Sequence, residues 1–321
     1  MRKILAGGKA LVVAGLWCCS ASLALADGWP DRPLRLVVPF APGGLTDVVA
    51  RAVAERMSAD LGQPIAVENR PGAGGNIGAS AAARAPRDGY TLLMVSHLLA
   101  LNKTAYRQID YDLEKDFSPI GEIGRSAVFL VVRPDFPAKD LAEMVAYMRR
   151  HPGKVNFAIA GAGPTAAYFA MTSGTEFTTI SYKGNALALT DLVAGRVDAM
   201  TVAAETVLPY MADGRIRVMA VTSSNERSPY FPDIPAAAET VPKFVSPAFL
   251  GLVTTKGTDP AIVRRLSQAL HAALRSDRIR AQFEKLGIAV AESSPDQFEA
   301  KVGEEVQRWA TVVKATNGYI N

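Results

Sequence analysis

The stretch LRLVVPFAPGGLTDVVARAVAERM, residues 34–57, decides the fold. Its first part, Leu34–Phe40, is a short apolar run of the kind that forms a buried strand, and it breaks at Pro42-Gly43-Gly44. Thr46 and Asp47 then open an amphipathic helical pattern, Asp47–Leu61, that stops at Gly62. A turn of this kind sets free main-chain N–H groups, and the positive end of a helix, at the carboxyl end of a strand, where an anion can be held. Gly43 and Gly44 carry no Cβ, so the backbone can approach a ligand closely. Thr46 is the expected N-cap. Phe40, Ala41, Gly43, Gly44, Thr46 and Asp47 are therefore candidate ligand contacts. The plainer alternative, a tight turn and a cap with no ligand, stays open for a single Pro-Gly-Gly.

The same punctuation recurs along the chain. Ile65–Glu68 reads as a strand, Ile77–Ala85 as an alanine-rich helix and Tyr90–Ser96 as a strand, giving a βαβαβ order with nearly continuous apolar strands. That order predicts a parallel sheet covered on both faces. A second unit begins near Val128, with strands at 127–132, 155–160, 178–182, 197–200 and 217–222 and helices at 138–151 and 185–194. Its turns include Gly161-Ala162-Gly163-Pro164-Thr165 and Lys183-Gly184-Asn185. Long helices at 260–276, 277–286 and 295–316 close the chain and are expected to pack on the first unit or brace both. Ligands of open α/β sheets bind at the carboxyl ends of strands, so two such units facing each other predict a cleft. Ser96, Ala160, Gly161, Thr165, Lys183, Gly184, Asn185 and Ala203 join the candidate contacts. Lys183 can neutralise a carboxylate or simply be a solvated turn residue.

Composition narrows the chemistry. The chain has 321 residues, 49% of them hydrophobic, with 35 basic and 31 acidic side chains. Arg2, Lys3 and Lys9 precede an apolar stretch, Ala10–Cys19, and an Ala24-Leu25-Ala26 ending, the pattern of an export signal cleaved after Ala26. Without those three basic residues the formal charge falls from +4 to +1, which removes any case for nucleic acid. Cys18 and Cys19, the two cysteines, lie in that segment, so disulfides and cysteine-held metals are not expected in the mature chain. No metal or cofactor is expected. The turns lack the lysine of a P-loop and the spacing of a dinucleotide fingerprint, so a small carboxylate fits better than a phosphate. Ser96 and His97 are adjacent on a strand end and point to opposite faces, without a nucleophile-elbow sequence, which argues against an exported serine hydrolase.

The sequence resembles the Bug family, the extracytoplasmic solute receptors of tripartite tricarboxylate transporters. The resemblance runs from Trp29 to about Gly318 through WPDRPLRLVVPFAPGGLTD, LGQPIAVENRPGAGGNIG, PRDGYTLL, PGKVNFA, SYKG, ALTDLVAGRVDAM, MAVTSSNERSP and WATVVKATN. It implies a type II periplasmic-binding-protein fold, two lobes with mostly parallel sheets joined by two crossing segments near 126–132 and 246–253. Lobe 1 would be 27–126 plus 247–321, and lobe 2 would be 127–246. It implies a monomeric periplasmic binding protein that captures a small organic acid and hands it to membrane transporter subunits, with a signalling accessory as the alternative. Two departures from the family pattern, Ala160-Gly161-Ala162-Gly163-Pro164 in the second turn and Thr201-Val202-Ala203 after the Val-x-x-Met strand, remove hydroxyls and an N–H donor from lobe 2. They suggest a ligand with one firmly held carboxylate and a more apolar body, for which Leu98, Leu99, Tyr168 and Phe169 are candidate walls.

Overall fold

Strands that are apolar along their whole length need cover on both faces, and the chain supplies it twice. The computed structural model describes residues 28–160, 164–182 and 184–316. The expected signal segment with its cysteines, and the candidate contacts Gly161 and Lys183, lie outside the described residues. In chain order the elements are β1 Leu34–Val38, α1 Leu45–Leu61, β2 Ile65–Asn69, α2 Asn76–Ala83, β3 Thr91–Ser96, α3 His97–Ala105 and β4 Phe117–Ser126. There follow β5 Val128–Val132, α4 Leu141–Arg150, β6 Asn156–Ala160, α5 Pro164–Ser173, β7 Thr178–Tyr182, α6 Asn185–Val193, β8 Ala199–Ala203, α7 Ala204–Ala212 and β9 Arg217–Val221. The chain closes with β10 Ala248–Thr255, α8 Pro260–Leu274, α9 Asp277–Lys285, β11 Ile288–Val290 and α10 Pro295–Thr316.

One sheet has the order β11-β4-β10-β3-β1-β2 and the other β7-β6-β8-β5-β9. Each is sandwiched by helices. On one face of the first sheet Leu36, Val38 and Met94 meet Val49, Val53 and Met57 of α1. On its other face Val37, Leu93 and Val95 meet Ala79, Leu99 and Phe298. The alternation of Leu36, Val37 and Val38 between faces is the period-2 geometry of a strand. The expected parallel pairing holds for β1 with β2 and β3, and for β6 with β7 and β8. Both sheets are nevertheless mixed, because β10 runs antiparallel to β3 and β4, and β5 antiparallel to β8 and β9. The cause is topological: a chain that leaves one sheet for the other and returns must run against the strands it joins.

The passage between sheets is short. β4 ends at Ser126 and β5 begins at Val128, so Ala127 alone separates them. The return segment is tied to the same spot: Thr222 N–H donates to Val128 O at 2.7 Å and Ser246 N–H to Thr222 O at 2.7 Å. Register fixes what faces what. Ser126 pairs with Ala248, and Ser96 with Leu250, at one rim of the first sheet. Val128 pairs with Ala203 at the joined rim of the second. The carboxyl ends of β1 and β3, and those of β6, β7 and β8, therefore lie at the two rims that the crossing joins.

α10 packs on the first sheet and on α3, and reaches α5 of the second unit, within the two placements expected of the closing helices. Phe298 packs under Gly251 in β10, where a Cβ would lie 2.1 Å from the ring, so only glycine fits between strand and helix there. Further along, Trp309 is fully buried against Leu101 and Ala105 of α3 and meets the Tyr168 ring of α5 at 6.2 Å.

Candidate functional site

The site begins where β1 delivers the chain to the rim. Ala41, Pro42, Gly43 and Gly44 are exposed and Phe40 is half-buried. Gly43 has φ +84°, a conformation that a side chain would strain. The helix starts earlier than expected. Gly44 is the N-cap, and Thr46 is the second helical residue and makes no capping bond. Asp47 braces the turn ahead of the helix instead: its Oδ2 accepts from Gly43 N–H at 2.9 Å and from Arg51 Nε at 3.0 Å. Its Oδ1 accepts from Asn69 Nδ2 at 2.8 Å and pairs with Arg51 Nη2 at 3.0 Å. The same Asn69 amide donates to Phe40 O at 3.1 Å. Arg51 above all, then the Gly43 N–H and the Asn69 amide, hold the Asp47 carboxyl down at about 2 despite its burial.

This arrangement sorts the candidates. The Asp47 carboxylate is spent on its own turn, and so is the Gly43 N–H. What the turn can offer an anion is the set of N–H groups at the start of α1, on Leu45, Thr46 and Asp47, which have no carbonyl four residues back within the helix. An acidic side chain in the first turn complements the helix dipole, and with Arg51 beside it Asp47 adds little net charge at the mouth.

The second station is the β3–α3 turn. Sequence reading left α3 out, although Ser96 before Leu98-Leu99-Ala100-Leu101 is a legible cap signal. Ser96 is the N-cap by position but makes no side-chain cap bond. It is 2% exposed. Its Oγ and the His97 Nδ1 are both shielded and both without a hydrogen-bond partner. The two side chains do not bond each other, so Ser96 has no base to activate it. Burial pushes the His97 pKa down to about 4. The unfolded chain, with an ordinary imidazole near 6.5, takes up that proton first. Stability is therefore expected to fall as pH drops from about 6.5 to 4, by up to about 3 kcal/mol from this group. Denaturant titrations at pH 7, 5.5 and 4.5 check it, and His97→Phe should flatten the slope.

The facing rim carries the other candidates. Ala160 ends β6, and Thr165 follows as the second residue of α5. The Thr165 hydroxyl lies 3.4 Å from Ser246 Oγ in the return segment. Gly184 is the N-cap of α6 with no side-chain cap bond, and Asn185, its first residue, is exposed. Ala203 ends β8 and precedes α7. Every described candidate thus lies at or just beyond the carboxyl end of a strand, on one of the two rims that the crossing joins. The apolar walls divide: Leu99 and Phe169 are fully buried core, Tyr168 packs on Phe244 and Trp309, and Leu98 stays 38% exposed at the rim.

A different cavity, of about 750 Å³, lies between β4, α10 and the segment after β9. Val245 and Pro247 border it, while Ser246 between them turns toward Thr165. Two of its buried carboxylates are paired: Glu122 takes Lys301 and, at 2.9 and 3.1 Å, Arg125. Glu305 pairs with Arg308 at 2.8 Å. None of the candidate contacts lines it.

Two mixed α/β sheets covered by helices and joined by a double crossing define a two-domain architecture of the periplasmic-binding-protein kind. Residues 49–318 match the Tripartite tricarboxylate transporter family receptor, and the chain belongs to that family. Among curated relatives, Protein BugT of Bordetella pertussis is 36% identical over 318 residues, covering 96% of this chain and 97% of that one. Among solved structures, MatC from Rhodopseudomonas palustris with bound malate is 34% identical with a TM-score of 0.76, over 89% of this chain and all of that one. R. palustris Rpa4515 with adipate is 33% identical with a TM-score of 0.78, over 90% and 98%. These likenesses bear out the family and the periplasmic-binding-protein fold read from the sequence.

Proposed function

We propose that the protein captures a small carboxylate in the interlobe cleft, in the periplasm, and delivers it unchanged to the membrane subunits of a tripartite tricarboxylate-type transporter. The observation that carries this reading is the α1 start, where Asp47 and Arg51 satisfy each other and the main-chain N–H groups of Leu45, Thr46 and Asp47 are left for an anion. The ligands of the two Rhodopseudomonas palustris relatives, malate and adipate, are of the same class. The contacts on the opposite rim would be Thr165, Gly184, Asn185 and Ala203, with Ser96 beside the crossing. The lobes would divide at 126/127 and 246/247, next to the main-chain bonds that tie Val128, Thr222 and Ser246 together. Closure of the lobes about that knot would present the loaded form to the transporter.

A thermal-shift screen of the mature protein against mono-, di- and tricarboxylates tests the proposal. A true ligand at a hundred times its Kd adds about 2.7 kcal/mol to the folded state and raises Tm accordingly. Failure of every carboxylate to move Tm, with an amine or a sugar succeeding, overturns it.

A further inference from the structure

The β3–α3 turn holds two polar atoms that the fold leaves unsatisfied. Ser96 Oγ and His97 Nδ1 are shielded from water and have no partner among the described residues, and buried polar atoms left unpaired are uncommon in native proteins. Ser96 stands at the N-cap of a nine-residue helix that no side chain caps, so the N–H groups of its first turn are unclaimed as well. β3 is the parallel neighbour of β1, with Arg35 opposite Thr91 and Val37 opposite Leu93. Continuing that register sets Phe40 level with Ser96, and adjacent strands lie about 4.8 Å apart. The α3 start and the α1 start are thus within the span of one small molecule.

The chemistry around the α3 start is neutral. The His97 ring is uncharged at neutral pH, because burial holds its pKa near 4. Arg51 is engaged by Asp47 and by Asn69 Oδ1 at 2.9 Å. A second carboxylate placed there would meet hydrogen bonds but no cationic side chain among the described residues of that turn. Leu98, in the first turn of α3, and Leu187, in the first turn of α6 on the opposite rim, are 38% and 57% exposed.

We infer that the ligand is a carboxylic acid carrying an uncharged hydroxyl or carbonyl close to its carboxylate on an otherwise apolar body, and that the buried, unpaired Ser96 hydroxyl reads that uncharged group. The inference rests on the carboxylate-capture reading above. The carboxylate sits on the α1 N–H groups, the hydroxyl or carbonyl reaches Ser96 Oγ, and the hydrocarbon remainder lies between Leu98 and Leu187.

Calorimetry with four probes tests it: hexanoate, 2-hydroxyhexanoate, 3-hydroxyhexanoate and adipate. At least one hydroxy acid should bind tenfold or more tightly than both hexanoate and adipate. Ser96→Ala should erase most of the advantage over hexanoate. A purely structural role for Ser96 is separated by the ligand-free protein. Removing an unpaired buried hydroxyl should leave Tm unchanged or raise it, whereas loss of a structural bond lowers it. Adipate binding as tightly as the hydroxy acids, or hexanoate matching them, overturns this inference and leaves carboxylate capture standing. Failure of all four acids together with the wider carboxylate screen overturns both.

Discussion

Asp47→Ala is expected to lower stability by about 2 to 3 kcal/mol and to cut ligand affinity by roughly a hundredfold. Four hydrogen-bonding contacts converge on this carboxylate, from Gly43, Arg51 twice and Asn69. The lower end of the range for a broken buried pair applies, because Arg51 is about half exposed and can return to water. Loss of affinity follows from geometry rather than charge. With the Gly43 N–H released, nothing holds that turn at positive φ, and the N–H groups of α1 lose their fixed aim. Asp47→Asn keeps one acceptor for Gly43 and gives up the ion pair, so it should fall between wild type and alanine in both quantities. Calorimetry and urea denaturation on the three proteins check the order. Equal affinity in all three would show that the turn does not touch the ligand.

Trp309→Ala is expected to have the larger effect on the fold, about 3 to 5 kcal/mol. The indole is fully buried between α3 and Tyr168, whose hydroxyl in turn donates to Lys243 O in the segment leading back to the crossing. Alanine there empties a volume shared by both lobes. Trp309→Phe is the informative partner. It keeps most of the apolar volume and removes an indole N–H that is buried without an acceptor, so it should cost less than about 1.5 kcal/mol. Denaturant melts of the two variants decide the matter. Equal losses would mean that the N–H, and not the packing, matters at this position.

Much of the architecture was legible because it is written locally. α10 and β7 were read to their ends from periodicity and punctuation, and α1 was closed by Gly62 in the left-handed conformation. What was missed depends on distant neighbours. β4, with its sequence FSPIGEIGRS, carries a proline, two glycines and a glutamate and shows no strand pattern. It is a strand because β10 and β11 pair with it and because Lys301, far along the chain, neutralises its buried Glu122. α7 was hidden by Pro209 inside it. The turns and strand ends that carry the candidate contacts were legible, because they need only sequence order to locate. The cap at Thr46 was misplaced because a carboxylate one residue later, tied to Asn69 and Arg51, reaches back over it. No local rule reports on a partner 22 residues away.

The knot at Val128, Thr222 and Ser246 has a consequence for how such proteins diversify. Every strand of the second sheet lies between residues 128 and 221, and the points of entry and exit are hydrogen-bonded neighbours. An insert whose two ends meet can be exchanged as a cassette by recombination, since its replacement needs to match only one narrow seam. One side of the double crossing would then be replaced while the other is inherited intact.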